Sequence, residues 1–270
     1  MNRIGIIGVG SMGGAIARGL LEAGTVRPGQ LAVCDPRVEA LEALSEAWPG
    51  ITCVTAADAL CELSQMIILA VKPYLAEQVI GQCGDALADK AVVSIAAGVT
   101  AAKLKAMLEP LGARWLRVMP NTPALVGEGM TALCAEHTLT SEEMDFARRV
   151  FDSLGKTTVL PERMFDGVIA VSGSSPAYVY MMIEAMADAG VREGIPWAEA
   201  CRMAAQSVLG SALMVLNTGT HPAALRNAVC SPAGTTIDAV AELEARGFRT
   251  AVMEAMRACA DKSRAMGKAD

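Results

Sequence analysis

Aromatic residues make up only 4% of this 270-residue chain, and it contains only two histidines, His137 and His221. The eight cysteines have no C-x-x-C spacing and only those two histidines to join them, so no metal site is expected. Scattered through apolar stretches, they read as small buried hydrophobes in a reducing, cytoplasmic setting. There is no basic run and the net charge is −6, which argues against nucleic acid as a partner. An anionic substrate must then be held by local donors, not by the global field. No apolar run approaches the roughly 20 residues a membrane-spanning helix needs. Residues 66–71 stop at Lys72, and residues 168–171 give way to Ser172. The amino terminus enters a glycine-rich motif directly, so no signal peptide is expected.

What is present is apolar and small. Hydrophobic residues are 53% and charged residues 19%, with 16 Met, a composition that excludes a disordered chain and favours closely packed helices. Short continuous apolar runs at 4–7, 31–34, 66–70, 92–95 and 116–118 read as strands, with weaker ones at 52–54 and 130–133. Helical patterns lie between them at 11–23, 37–47, 76–83 and 101–108. Continuous rather than alternating hydrophobicity implies a parallel sheet covered on both faces. A further helix is expected at 141–153, opened by a Thr140/Glu143 capping box. Beyond about residue 160 the strand signals fade, and helices are expected at 177–193, 197–216, 233–245 and 248–266. The expectation is an α/β chain with an N-terminal dinucleotide-binding domain over 1–160 and a C-terminal all-α domain over 161–270. Residues 203–216 offer only Gln206, Ser207 and Ser211 as polar groups. A helix apolar all round must be buried all round, most simply against a second subunit.

Gly8-Val9-Gly10-Ser11-Met12-Gly13 is G-x-G-x-x-G, placed after an apolar strand and opening a helix, the context of a Rossmann-type dinucleotide site. Gly8 permits the turn, Gly10 lets backbone approach a pyrophosphate, and Gly13 lets helix and strand pack closely. The N–H groups of the first turn, from Ser11, Met12 and Gly13, then face the phosphates. Asp35 follows the second strand roughly 20 residues past Gly13, the place of a ribose-reading acid. Arg37 offsets its repulsion of a 2′-phosphate, so the reading favours NADH acceptance with mild discrimination against NADPH. Ala70-Val71-Lys72-Pro73 ends another strand and brings Lys72 near the ribose or nicotinamide. Ala97 lies among small residues that admit a flat ring. Asn121, in a loop stiffened by Pro120 and Pro123, either bonds the nicotinamide amide or builds the turn.

Two C-terminal stretches put hydroxyls and glycine before a helix: residues 171–178 (VSGSSPAY) and 229–237 (VCSPAGTTI). Free N–H groups beside Ser and Thr suit a small carboxylate. With no His, Cys–His pair or carboxylate pair there, catalysis rests on orientation and on the cofactor's own hydride.

Together with Ala70-Val71-Lys72-Pro73 and residues 117–123 (RVMPNTP), these motifs resemble the pyrroline-5-carboxylate reductase family along nearly the whole chain. The stretch 231–236 (SPAGTT) is the most diagnostic, although Ala233 stands where the family usually has the first of two glycines. The resemblance implies NADPH- or NADH-dependent reduction of 1-pyrroline-5-carboxylate to L-proline, by hydride transfer to the cyclic C=N carbon. It implies that Ser231, Gly234, Thr235 and Thr236 bind substrate, with Thr236 near the imine nitrogen, and that the helical domain dimerises. Many members assemble dimers into decamers. β-Hydroxyacid dehydrogenases share this layout but need a lysine soon after a second glycine-rich motif, and residues 174–182 contain none. A non-catalytic dinucleotide sensor would need no second cluster of hydroxyls.

Overall fold

The computed structural model describes residues 3–268. Eight strands form one sheet: β1 (Ile4–Ile7), β2 (Leu31–Cys34), β3 (Thr52–Val54), β4 (Met66–Leu69), β5 (Ala91–Ser94), β6 (Arg114–Met119), β7 (Gly129–Cys134) and β8 (Gly155–Leu160). Their order is β3-β2-β1-β4-β5-β6-β7-β8. All neighbours are parallel except β6 and β7, which run antiparallel. Every residue of β1, β2, β4 and β5 is buried. That explains their unbroken apolar runs, since both faces carry helices. The connecting helices are α1 (Ser11–Glu22), α2 (Val38–Ala47), α3 (Ala57–Leu63), α4 (Ala76–Cys83), α5 (Ala101–Leu108) and α6 (Ser141–Asp152). The capping box of α6 is present: Thr140 Oγ1 accepts from the Glu143 N–H, and Glu143 Oε2 accepts from the Thr140 N–H at 2.9 Å.

After β8 come a single turn, α7 (Phe165–Val168), and a π-helical turn over Ile169–Gly173. Then follow α8 (Ser175–Arg192), α9 (Trp197–Thr218), α10 (Pro222–Val229), α11 (Thr235–Ala245) and α12 (Phe248–Lys268). By packing, the chain divides later than the secondary-structure change at residue 160 suggests. One unit runs through Gly173 and regains the chain from Cys259; the other is Ser174–Ala258. The reason is Phe165, which is fully buried in the core beneath the sheet. Glu162 adds a tie, accepting from the Ala101 N–H at 3.0 Å and pairing with Arg117 at 2.5 Å. Residues 161–173 are therefore held by the sheet unit although they contain no strand.

The helical unit is built differently. Its buried hydrophobic residues are three alanines, Ala187, Ala200 and Ala204. Its large apolar side chains lie open on the single chain, among them Met203, Leu209, Leu213, Met214 and Leu216 of α9. Among the described residues, no helix is long and apolar enough to cross a membrane.

Candidate active site

The strand order reverses direction at β1 and β4, which pair side by side while their successors lie on opposite sides. In such sheets ligands bind beyond the carboxyl ends of the strands at this switch. Five predicted segments converge there because each follows a parallel strand: Gly8–Gly13 after β1, Asp35–Arg37 after β2, Ala70–Pro73 after β4, Ala96–Gly98 after β5, and Asn121 after β6.

The glycine-rich turn fits a pyrophosphate on steric grounds. Gly8 has φ +94°, and a Cβ there would meet the Ala70 carbonyl oxygen at 2.6 Å. At Gly13 a Cβ would lie 1.8 Å from the Gly8 carbonyl oxygen, so α1 packs directly on the turn. By contrast, a Cβ on Gly10 would meet nothing within 4 Å, leaving open space where a phosphate would approach. Gly10 is the N-cap of α1 and contributes no side chain. The first-turn N–H groups of Ser11, Met12 and Gly13 have no intrahelical acceptor, as at any helix start. Ser11 is exposed and Met12 half-buried.

The other predicted cofactor residues divide. Lys72 is exposed at the end of β4 beside Val71 and Pro73, and Ala97 is half-buried in the turn after β5. Asp35 is buried, and its carboxylate is engaged within the chain. Oδ2 accepts from the Val9 N–H at 2.9 Å, and both oxygens accept from the Arg37 side chain, at 2.8 and 3.0 Å. The Arg37 guanidinium holds the Asp35 carboxyl below the usual carboxylate range. Asn121 is likewise occupied at both ends. Its Oδ1 accepts from the Met130 N–H at 2.9 Å, and its Nδ2 donates to the Ser172 carbonyl at 3.0 Å. These bonds build the turn and anchor the π-helical turn, a feature frequent at functional sites, and the second Nδ2 N–H is left for the nicotinamide role. Gly173 in that turn lies against β6, where a Cβ would stand 3.0 Å from the Met119 Cε. Burial pushes the Cys34 thiol, next to Asp35, up to about 11.

Sequence reasoning missed the partnership of Arg117 and Glu162. Arg117 is buried in β6, paired with Glu162, its guanidinium 4.6 Å from the Phe165 ring centre. The signal was available, since a charge inside an otherwise apolar strand must be paired.

In the helical unit, the stretch 231–236 makes a tight turn into α11, the Gly234 N–H donating to the Ser231 carbonyl at 3.1 Å. Gly234 is the N-cap, with φ −84° and no side-chain cap. A Cβ there would stand 2.3 Å from Ser231 Oγ and 3.2 Å from the Ser231 carbonyl oxygen, so a larger residue would force the Ser231 side chain to move. Thr235 and Thr236 occupy the first turn of this helix, which has no side-chain cap, Thr236 half-buried and Thr235 exposed. Uncapped N–H groups and threonine hydroxyls are the kind of donors that suit a small carboxylate. Ala233 sits at φ +55°, in the left-handed region. A side chain there costs about 1 kcal/mol or more. Ala233→Gly is expected to stabilise the protein by about 1 kcal/mol. The check is a higher urea midpoint at fixed protein concentration with an unchanged slope.

The chain is similar to known proteins over its whole length. Residues 162–266 match the family model described as pyrroline-5-carboxylate reductase dimerisation, and residues 3–98 match that of NADP oxidoreductase coenzyme F420-dependent. The chain is 46% identical over 269 residues to pyrroline-5-carboxylate reductase of Escherichia coli K12, covering 98% of each. A pyrroline-5-carboxylate reductase structure from Coxiella burnetii superposes with a TM-score of 0.91 at 30% identity, covering 99% of both chains. A Plasmodium falciparum pyrroline carboxylate reductase with NADP bound gives 0.89 at 31% identity, covering 98% of both. With the glycine-rich switch point, the uncapped turn into α11 and this whole-length identity, the chain belongs to the pyrroline-5-carboxylate reductase family.

Proposed function

We propose that this chain reduces the C=N bond of 1-pyrroline-5-carboxylate to give L-proline, with NADPH or NADH as reductant. The observation that carries the reading is the start of α11, where Gly234 leaves the helix uncapped beside two threonines. When bound at the sheet's switch point, the dinucleotide supplies the hydride. The chain's own task is to hold and orient. The pyrophosphate takes the first-turn N–H groups of α1, with Gly8, Gly10 and Gly13 shaping the approach. Ala70, Val71, Lys72 and Pro73 line the next strand end, and Ala97 admits the flat ring. Ser231, Gly234, Thr235 and Thr236 receive the substrate, its carboxylate on the N–H groups and hydroxyls of the turn. The Thr236 hydroxyl lies near the imine nitrogen. A strong general acid is not required, because a cyclic imine can arrive protonated.

The large apolar side chains left open on α9 support a homodimer at least, closed through the helical unit; the decamer is the larger assembly the family resemblance implies. Eight cysteines held as thiols rather than disulfides support a reducing cytoplasm. Thr236→Ala tests the site. We expect kcat/KM for 1-pyrroline-5-carboxylate to fall by roughly one to three decades, as the loss of one or two hydrogen bonds would do. Cofactor affinity should stay within about twofold, a change of less than 1 kcal/mol. Wild-type kinetics in this variant would overturn the assignment.

A further inference from the structure

A ribose-reading acid at the end of β2 must have acceptor positions open to the sugar hydroxyl. A carboxylate offers about four. Asp35 has all of them filled. Oδ1 accepts from the Arg37 backbone N–H at 3.0 Å and from Arg37 Nε at 2.8 Å, and Oδ2 accepts from Arg37 Nη2 and from the Val9 N–H. The side chain of Asp35 is only 5% exposed, whereas that of Arg37 is 60% exposed. Arg37 spends Nε and one N–H of Nη2 on the pair, which leaves the Nη1 donors of this largely exposed side chain, at the N-cap of α2, outside the pair. A two-point Asp–Arg pair is neutral overall, so the acid no longer repels an anion there. A planar guanidinium with a fixed edge is well suited to phosphate. The only acid in the first turn of α2 is Glu39, which is exposed.

We infer that Asp35 is a positioning residue, the clamp that joins the glycine-rich turn to Arg37, and that Arg37 reads the 2′-phosphate of NADPH. This reverses the sequence-based expectation of NADH acceptance. It rests on the proposed dinucleotide site. It also reverses the ordinary rule for such an acid, whose neutralisation should favour the phosphorylated cofactor. Here Asp35→Asn removes one oxygen acceptor and frees Arg37, so NADPH binding weakens.

The test is equilibrium titration of wild type, Arg37→Gln and Asp35→Asn with NADPH and NADH, followed by nicotinamide fluorescence. Adenosine 2′,5′-bisphosphate and 5′-AMP serve as competitors. Wild type is expected to bind NADPH at least about tenfold more tightly than NADH, the worth of one charge-assisted contact. Arg37→Gln, an exposed substitution, should close that gap by losing NADPH affinity alone, and with it the preference for the bisphosphate over 5′-AMP. Asp35→Asn should narrow the gap from the same side. If Asp35→Asn instead tightens NADPH or weakens NADH alone, Asp35 reads the ribose and the inference fails. Equal wild-type affinity for the two dinucleotides, or an unchanged gap in Arg37→Gln, defeats it while leaving the dinucleotide site intact. A wild-type protein that binds neither would overturn the site itself.

Discussion

Gly13→Ala is expected to abolish NAD(P)H binding and to lower the melting temperature together. The new methyl carbon would occupy a point 1.8 Å from the Gly8 carbonyl oxygen, which is backbone and cannot swing aside. Either α1 lifts from β1 or the turn deforms, and both displace the N–H groups meant for the pyrophosphate. Clashes of this kind in a packed core cost about 3 kcal/mol or more, which is two decades or more in affinity if felt at the site. Gly10→Ala separates packing from ligand approach. Its Cβ meets nothing in the protein and its φ of −66° suits alanine, so the fold should melt as before. Cofactor affinity should nevertheless fall about tenfold or more, because the methyl enters the phosphate's path. A Gly10→Ala protein that binds NADPH as tightly as wild type would place the pyrophosphate elsewhere.

Leu213→Glu carries the second large effect. Leu213 is 43% exposed on the single chain, between Leu209 at 49% and Leu216 at 77%. Placing a carboxylate where the partner's apolar surface must close leaves a buried charge unpaired, a cost of several kcal/mol. About 4 kcal/mol corresponds to a thousandfold weaker dimer. Sedimentation velocity at micromolar protein should show monomer where wild type shows dimer or larger. A variant that remains fully assembled would mean that α9 is not the core of the interface.

Much of this was legible in the residues, for physical reasons that can be named. Strands β1, β2, β4 and β5 announce themselves because burial on both faces demands continuous apolar runs. The same logic fails for β8, whose Gly-Lys-Thr-Thr start carries no apolar signal. It is an edge strand with no fully buried residue, defined only by its parallel pairing with β7. The short helices α3 and α10 escaped because so few turns cannot establish a period. Within the site, G-x-G-x-x-G and the turn at 231–236 act through local backbone geometry, which sequence encodes directly. Asp35 and Asn121 do not. Their roles depend on which donors the fold brings to them, Val9 and Arg37 in one case, Met130 and Ser172 in the other. A sequence position shows that an acceptor exists, not whether it is already taken.

The three buried alanines of the helical unit have a consequence for how the protein comes into being. A segment of this length without one large enclosed side chain has little to gain by folding alone, because apolar burial is the main term set against chain entropy. On the dimer reading, its final ordering is second order in chain concentration. The sheet unit can mature within each single chain, while the helices of the other unit wait for an encounter. Apparent stability should then rise with protein concentration, as mass action requires for an obligate assembly. A scarce chain would spend longer with its apolar helices uncovered, so abundance itself becomes a determinant of native structure.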